Sequence, residues 1–518
     1  GEAVDARADQ FGFCVALYDA LYGEHPYAGD TYATLVISTL HGPVREPPKG
    51  TEVPARLREV LLRGLQRRPD ARHPSMDALL EALQQATARR SRTLVAVGVA
   101  LVAVVAAVSL TLVLSPRDRA AVTCRGAEAR LAGVWDDDVK GRALAAFTAT
   151  PRRYARDTFQ RVAAALDERA AAWIAMRQDV CEATLVRGEQ SEALMDLRMQ
   201  CLDRRLGEVR ALTTLFATRA DAEVVDRSMT ATMELPTVDP CADAEALVAA
   251  YPAPDDPVVR GRVEALRIRI DELAALDAAG KYAAGLALAV GVADEAARVG
   301  WPPIHAQALY QLAVLQSRTG DAAASAATYS RAMKAAAAAR DDALFVRAGA
   351  QRVYELGYDL GRPEEALELG AVLDPLVTRG GEDLATRIEL LNRLGIVLWS
   401  KGEYAQALEQ FERALPLLPG SGLDELRATA VQMNYANVLV SDGRAEDAVP
   451  YYQNAAEVSE RTLGREHPNA ARARANLGTV LILLGDYDRA QSSLEAALAE
   501  LEAAHGPDHI GVAIAMNS

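Results

Sequence analysis

The chain is 518 residues long, enough for three or four domains at roughly 150 residues each. Half of it is hydrophobic and a quarter charged, which excludes a disordered chain; 5% aromatic content with abundant Ala, Leu, Arg and Glu favours Ala-packed helices over a sandwich or barrel. The formal charge of −15 arises wholly after residue 92, and an acidic body lacks the basic footprint that nucleic-acid binding requires. The sequence opens on Gly1 and closes on Ser518 within a helical pattern, so we expect a piece of a longer protein.

Residues 1–87 read as helices separated by loops. Asp9-Gln10-Phe11-Gly12-Phe13-Cys14 opens an apolar helix with an acidic start, and Gly23 stops it. His25-Pro26-Tyr27 turns the chain, and Val53-Pro54 opens a second helix. Pro69-Asp70-Ala71-Arg72-His73-Pro74-Ser75-Met76 leads into a last one. In order and spacing these motifs resemble the C-terminal part of the catalytic domain of bacterial eukaryotic-like serine/threonine protein kinases, over about 85 residues. The resemblance implies that Asp9 heads a large central helix and accepts hydrogen bonds from the catalytic-loop backbone. It implies that Arg72 ion-pairs with the Glu of an Ala-Pro-Glu motif. In that family the Ala-Pro-Glu motif, the Gly-rich loop, the nucleotide-pairing Lys, the catalytic Asp and the metal-binding Asp all precede the matched segment. None is in this sequence, and Lys49, in a Pro-Gly loop, replaces none of them. ATP and magnesium are therefore expected of an intact parent, with no catalytic or cofactor-binding residue in this chain.

Thr93–Leu114 is 22 residues without a charge. As a helix it covers about 33 Å, enough to cross a hydrocarbon core of about 30 Å. Arg89, Arg90 and Arg92 precede it, while Arg117, Asp118 and Arg119 follow. The positive-inside rule then places residues 1–92 in the cytoplasm and 115–518 in the periplasm, with the inner membrane between. Cys14 lies before this run; Cys124, Cys181, Cys201 and Cys241 lie after it, an even number that suits disulfides in an oxidising compartment. Four cysteines allow three pairings, and spacing does not choose among them. A zinc site is the alternative, but no CxxC pair is present.

Residues 115–257 read as a helical spacer with long runs at Ala155–Val186 and Ser191–Ala217, closed by a linker bearing Pro236, Pro240, Pro252, Pro254 and Pro257. Trp135-Asp136-Asp137-Asp138 invites a catalytic reading, but carboxylates there suit a helix N-terminus better. The 181–191 stretch resembles the outer region of membrane kinases from social delta-proteobacteria, for which the resemblance implies no activity.

From 258 to 518 the chain repeats. Glycine recurs at Gly280, Gly320, Gly361, Gly402, Gly443 and Gly485, with a small residue five positions on and mostly larger or apolar ones at nine and twelve. The fullest copies are Gly402, Tyr404, Ala407, Phe411 and Ala414, then Gly485, Tyr487 and Ala490. Small residues at these offsets let two antiparallel helices approach, and the larger ones fill the space between repeats. The pattern resembles tetratricopeptide repeats of the longer kinesin-light-chain kind, about six copies with the last truncated. Gly464-Arg465-Glu466-His467-Pro468 and Gly506-Pro507-Asp508-His509 fit the loop between repeats. The resemblance implies a superhelix whose concave face takes proteins or peptides. His505 and His509 have metal-pair spacing, but Gly506-Pro507 breaks the helix between them.

The sequence thus reads as all-α: the C-lobe remnant of a kinase fold, one membrane span, a helical spacer and a repeat superhelix. The function expected is that of a single-pass membrane serine/threonine kinase whose outer array senses a protein and biases dimerisation of the inner domains. The alternative is a membrane-anchored repeat scaffold with an inactive kinase-like region. No P-loop, GxSxG or HExxH motif marks a second enzyme.

Overall fold

The computed structural model describes residues 6–87, 124–249, 251–379 and 383–506; among these every regular element is a helix. The Thr93–Leu114 run lies outside the described residues, and among those described no helix is long and apolar enough to cross a membrane. The chain divides into two compact units, Gly1–Asp118 and Arg119–Ser518.

The first unit holds α1 (Ala6–Tyr22), α2 (Tyr32–His41), α3 (Ala55–Gly64) and α4 (residues 76–87). Cys14, Tyr18 and Tyr22 from α1 pack with Leu61, Leu65 and Leu79. Tyr18 Oη donates to the Arg45 carbonyl at 2.7 Å and Tyr27 Oη to that of Leu65 at 3.2 Å, so both phenols are buried with a partner. The helix α2 is absent from the sequence reading. Thr31 and Thr34 form a capping box at its start, yet Tyr32, Val36, Ile37 and Leu40 all face outward.

The second unit begins with α5 (Asp137–Thr148), α6 (Ala155–Leu185), α7 (Glu192–Arg219), α8 (Ala222–Glu234) and the short α9 (Ala244–Ala249). Asp136 is the N-cap of α5: its carboxylate accepts the Val139 amide at 2.9 Å and the Gly133 amide at 2.7 Å. Those backbone donors hold its pKa below the usual carboxylate range. Phe147 packs edge-on against both Phe159 and Phe216, with Trp135 beside them, at the centre of this region.

Six hairpins follow among the described residues: α10 (Pro257–Ala278) with α11 (Tyr282–Val299), α12 (Pro302–Arg318) with α13 (Ala322–Ala338), and α14 (Asp342–Tyr354) with α15 (Pro363–Arg379). Then come α16 (Leu384–Ser400) with α17 (Tyr404–Ala414), α18 (Glu425–Ser441) with α19 (Ala445–Leu463), and α20 (Pro468–Leu483) with α21 (Tyr487–His505). Each hairpin turns on one of the recurring glycines, at φ between 62° and 85°. The residue after the glycine donates its amide back to a carbonyl of the preceding helix, as Glu403 does to Leu398 at 3.0 Å and Asp486 to Leu481 at 3.0 Å. At Gly361 the bond reaches one residue further, from Arg362 to Leu356, because a π-helical turn over Glu355–Asp359 takes up an extra residue.

The array does not stay open. Leu463, at the end of α19, is 3% exposed within the same core as Trp135, Phe147 and Phe216, and Leu426 from α18 packs on it. Arg161 on α6 donates to the Arg461 carbonyl at 2.8 Å. His467, at the head of α20, reaches the Asp226 carbonyl on α8 at 2.9 Å. At the other end, Lys281 bridges Asp221, the N-cap of α8, and Glu223 in its first turn. Spacer and array therefore form one ring, and the proline-bearing stretch after Leu235 does not divide them at 257.

Candidate functional site

The first helices of successive hairpins turn one edge toward the inside of the ring. Gln307, Tyr310, Gln311 and Val314 of α12, Arg347, Gln351 and Tyr354 of α14, and Glu389 and Arg393 of α16 line a cavity of about 2030 Å³. Facing them are Glu168, Arg169 and Trp173 of α6, Arg204 and Glu208 of α7, Glu234 of α8, and Arg267 and Asp271 of α10. The loop before α18 adds Ser421 to Asp424, and the first turn of α18 adds Arg427. Small-molecule sites span roughly 300–1,000 Å³, so this channel has room for a stretch of polypeptide.

The array wall is a ladder of stacked and hydrogen-bonded side chains. The Arg347 guanidinium lies 5.3 Å over the Tyr310 ring and that of Arg393 lies 4.8 Å over Tyr354. Between them Gln351 donates to Glu389 at 2.6 Å and accepts from Arg393 at 3.1 Å. Stacking orients each guanidinium, at about 0.5–2 kcal/mol per pair, while leaving N–H donors for a ligand. Arg347 and Arg204 make no hydrogen bond to the described residues.

The opposite wall carries charges that burial makes uneasy. Burial, with Arg267 and Arg205 nearby, pulls the Arg204 pKa down. Burial first, and then Glu208, raises Asp271 to about 7. Burial also raises Glu234 and Asp277, the latter against Arg318, whose Nε donates to it at 3.1 Å. Arg169 is spent structurally, donating to the Met233 and Leu235 carbonyls at the end of α8.

The residues singled out from sequence lie elsewhere. Gly402 and Gly485 make hairpin turns; Ala407, Phe411, Ala414 and Ala490 are buried between helices, Tyr404 is half-buried and Tyr487 is exposed. None of these lines the channel. Cys124 is bonded to Cys181 and Cys201 to Cys241, joining the start of the unit to α6, and α7 to the turn before α9. Asp9 is exposed in the first turn of α1; the catalytic-loop backbone from which the resemblance has it accept hydrogen bonds is not part of this sequence. Its neighbour Gln10 does the anchoring: fully buried, it donates to Ser75 at 3.0 Å and accepts the His73 amide at 3.0 Å. Arg72 donates to the carbonyls of Gln66 and Arg7 at 2.6 Å each and lies 4.6 Å over Phe11. Among the described residues no group of three or more His, Cys, Asp or Glu is placed to hold a metal; His509 lies outside them.

The sequence reading missed the ladder, although its trace is present. Arg347 and Glu389, and likewise Gln351 and Arg393, are one repeat period apart on first helices. A polar position recurring at the repeat period, where the signature is apolar, is the mark of the inner face.

Comparison with known proteins bears on the array most directly. Residues 427–502 match one tetratricopeptide-repeat family model and residues 387–417 another, so this region carries tetratricopeptide repeats. The chain is 31% identical over 85 residues to the tyrosine-protein kinase MasK of Myxococcus xanthus, a match covering 16% of this chain and 13% of that relative's length. Crystal structures of nearly identical kinesin-light-chain TPR-like repeats from Podosopora anserina, and of a single-site variant, match 38% of this chain at 17% identity. They cover 96% and 94% of those chains, with TM-scores of 0.34 and 0.33.

Proposed function

We propose that residues 119–518 are a protein-binding module whose ring-enclosed channel takes an extended segment of a polypeptide partner. The observation that carries this reading is the channel itself: twice the volume of a metabolite site, walled by the recurring polar edge of the first helices. A photo-reactive residue at Gln311 on the channel wall should cross-link a polypeptide in cells, whereas one at the outward-facing Val372 should not. Equal labelling from both positions would remove the channel from consideration.

We further propose that the chain belongs to a single-pass membrane protein kinase, with residues 1–92 in the cytoplasm and the ring in the periplasm. The parent would use ATP and magnesium to phosphorylate protein side chains, and occupancy of the ring would bias clustering of its inner domains. Support comes from the motif order of residues 9–76, the 31% identity to a kinase, and the paired cysteines of the outer region. The motif pattern favours serine and threonine; the relative is named a tyrosine kinase. Identifying the phosphorylated amino acid after autophosphorylation of the full gene product separates these readings. No phosphorylation at all would favour the alternative of an anchored scaffold with an inactive kinase-like region.

A further inference from the structure

The channel wall runs full circle. From Arg204 and Asp271 it crosses to Gln311, Gln351 and Glu389 of the array and returns through Asp424. At that return Asp424 lies close enough to Arg169 on α6, and Arg427 to Glu234 on α8, for their charges to act on one another, and Leu426 packs on the spacer core. A ligand in this space is surrounded, and the way it enters decides what it can be.

Both side entrances are shut. At the seam, Leu463 is 3% exposed in one core with Phe147 and Phe216, and a Cβ on Gly464 would come within 2.8 Å of an Asp157 carboxylate oxygen. Parting the seam would expose that core to water. The stretch after α8, which lines the channel from Leu235 to Pro240, is tied down rather than hinged. Cys241 is bonded to Cys201 on α7, the buried Arg198 donates to the Cys241 carbonyl at 3.1 Å, and Trp301 Nε1 donates to the Pro252 carbonyl at 3.1 Å. The way left is along the axis of the ring.

Resting on the channel as the binding site, we infer that the partner enters end-on: the ligand is an unfolded terminal segment of a polypeptide, threaded along the ring axis. An extended chain rises about 3.3 Å per residue and fills a cross-section of about 4.8 by 10 Å, so a channel of about 2030 Å³ holds roughly a dozen residues. A domain of about 100 residues, with a radius of gyration of about 13 Å, exceeds this space several-fold. A loop with folded domains on both sides therefore reaches the channel only if the seam parts, whereas a free tail reaches it with the ring closed.

Locking the ring tests this on the whole chain. A protein with a photo-reactive residue in place of Gln311 also carries Asp157→Cys and Gly464→Cys; it is oxidised to join the two thiols, and only then meets cell extract and light. Cross-linking should stay within twofold of that in the two single-cysteine variants. The partner peptide joined to position 311, mapped by mass spectrometry, should lie on a stretch that runs to a free end of its protein with no folded domain between. A tenfold loss in the locked chain alone would show entry through the seam, and cross-links confined to loops between folded domains would show internal binding; either overturns end-on entry. No labelling from position 311 in any of the three chains would remove the channel as the binding site, and end-on entry with it.

Discussion

At the residue scale, strain and protonation are the measurable quantities. Arg340 is the one non-glycine with positive φ among the described residues, at 56°, and its neighbour Asp341 donates to the Ala336 carbonyl as in a glycine-capped helix end. A side chain in that region costs about 1–2 kcal/mol, partly offset by the greater chain entropy of glycine. Arg340→Gly should therefore raise stability by about 0.5–1 kcal/mol, read as a higher urea midpoint; a lower midpoint would contradict the strain. Asp271 works through protons. Its native pKa of about 7 lies above the unfolded value, so between about pH 4 and 7 the folded chain holds more protons than the unfolded one. Stability contributed at this site is then lost as pH rises through that window, and Asp271→Asn should flatten the slope. Residue roles were the least legible feature of the sequence. Asp9 drew notice as the charged residue of its motif, yet the buried polar anchor is Gln10, and burial is set by packing partners sixty residues away.

At the scale of elements the repeat was readable because it is a steric requirement written many times. Gly395 meets the Phe411 ring so closely that an added Cβ would come within 2.5 Å of it. Gly395→Ala should cost about 1–3 kcal/mol by overpacking, measured as a fall in the unfolding midpoint without loss of helical signal. Periodicity gave the hairpins and the long runs now seen as α6 and α7, within a few residues at each end. It did not give α2, which buries no apolar face and so leaves no periodic mark of packing. The cysteine pairing was equally illegible, since proximity depends on how α6 and α7 lie together. Cys201 and Cys241 close a loop of 40 residues; replacing both with serine should lower stability by about 2–5 kcal/mol, and no change on their removal would deny the bond a structural role.

At the scale of the whole molecule, ring closure is the feature that no local pattern announces. Leu463 looks in sequence like any apolar residue at a helix end, and only the curvature accumulated over five hairpins brings it into the spacer core. Leu463→Ala should cost about 2–5 kcal/mol through the cavity left behind, and the loss should appear first as proteolysis near the seam. The proline-bearing stretch after Leu235 read as a boundary because local breakers are visible in sequence, whereas the long-range contacts that override them are not.

The most direct measurement of closure is a trapped disulfide. A Cβ built on Gly464 lies 2.8 Å from an Asp157 carboxylate oxygen, although the two positions are far apart in sequence. In a chain carrying Asp157→Cys and Gly464→Cys, the two thiols should join under mild oxidation at neutral pH without loss of the Cys124–Cys181 and Cys201–Cys241 bonds. Two thiols that stay free and alkylatable in a folded chain would contradict a closed ring.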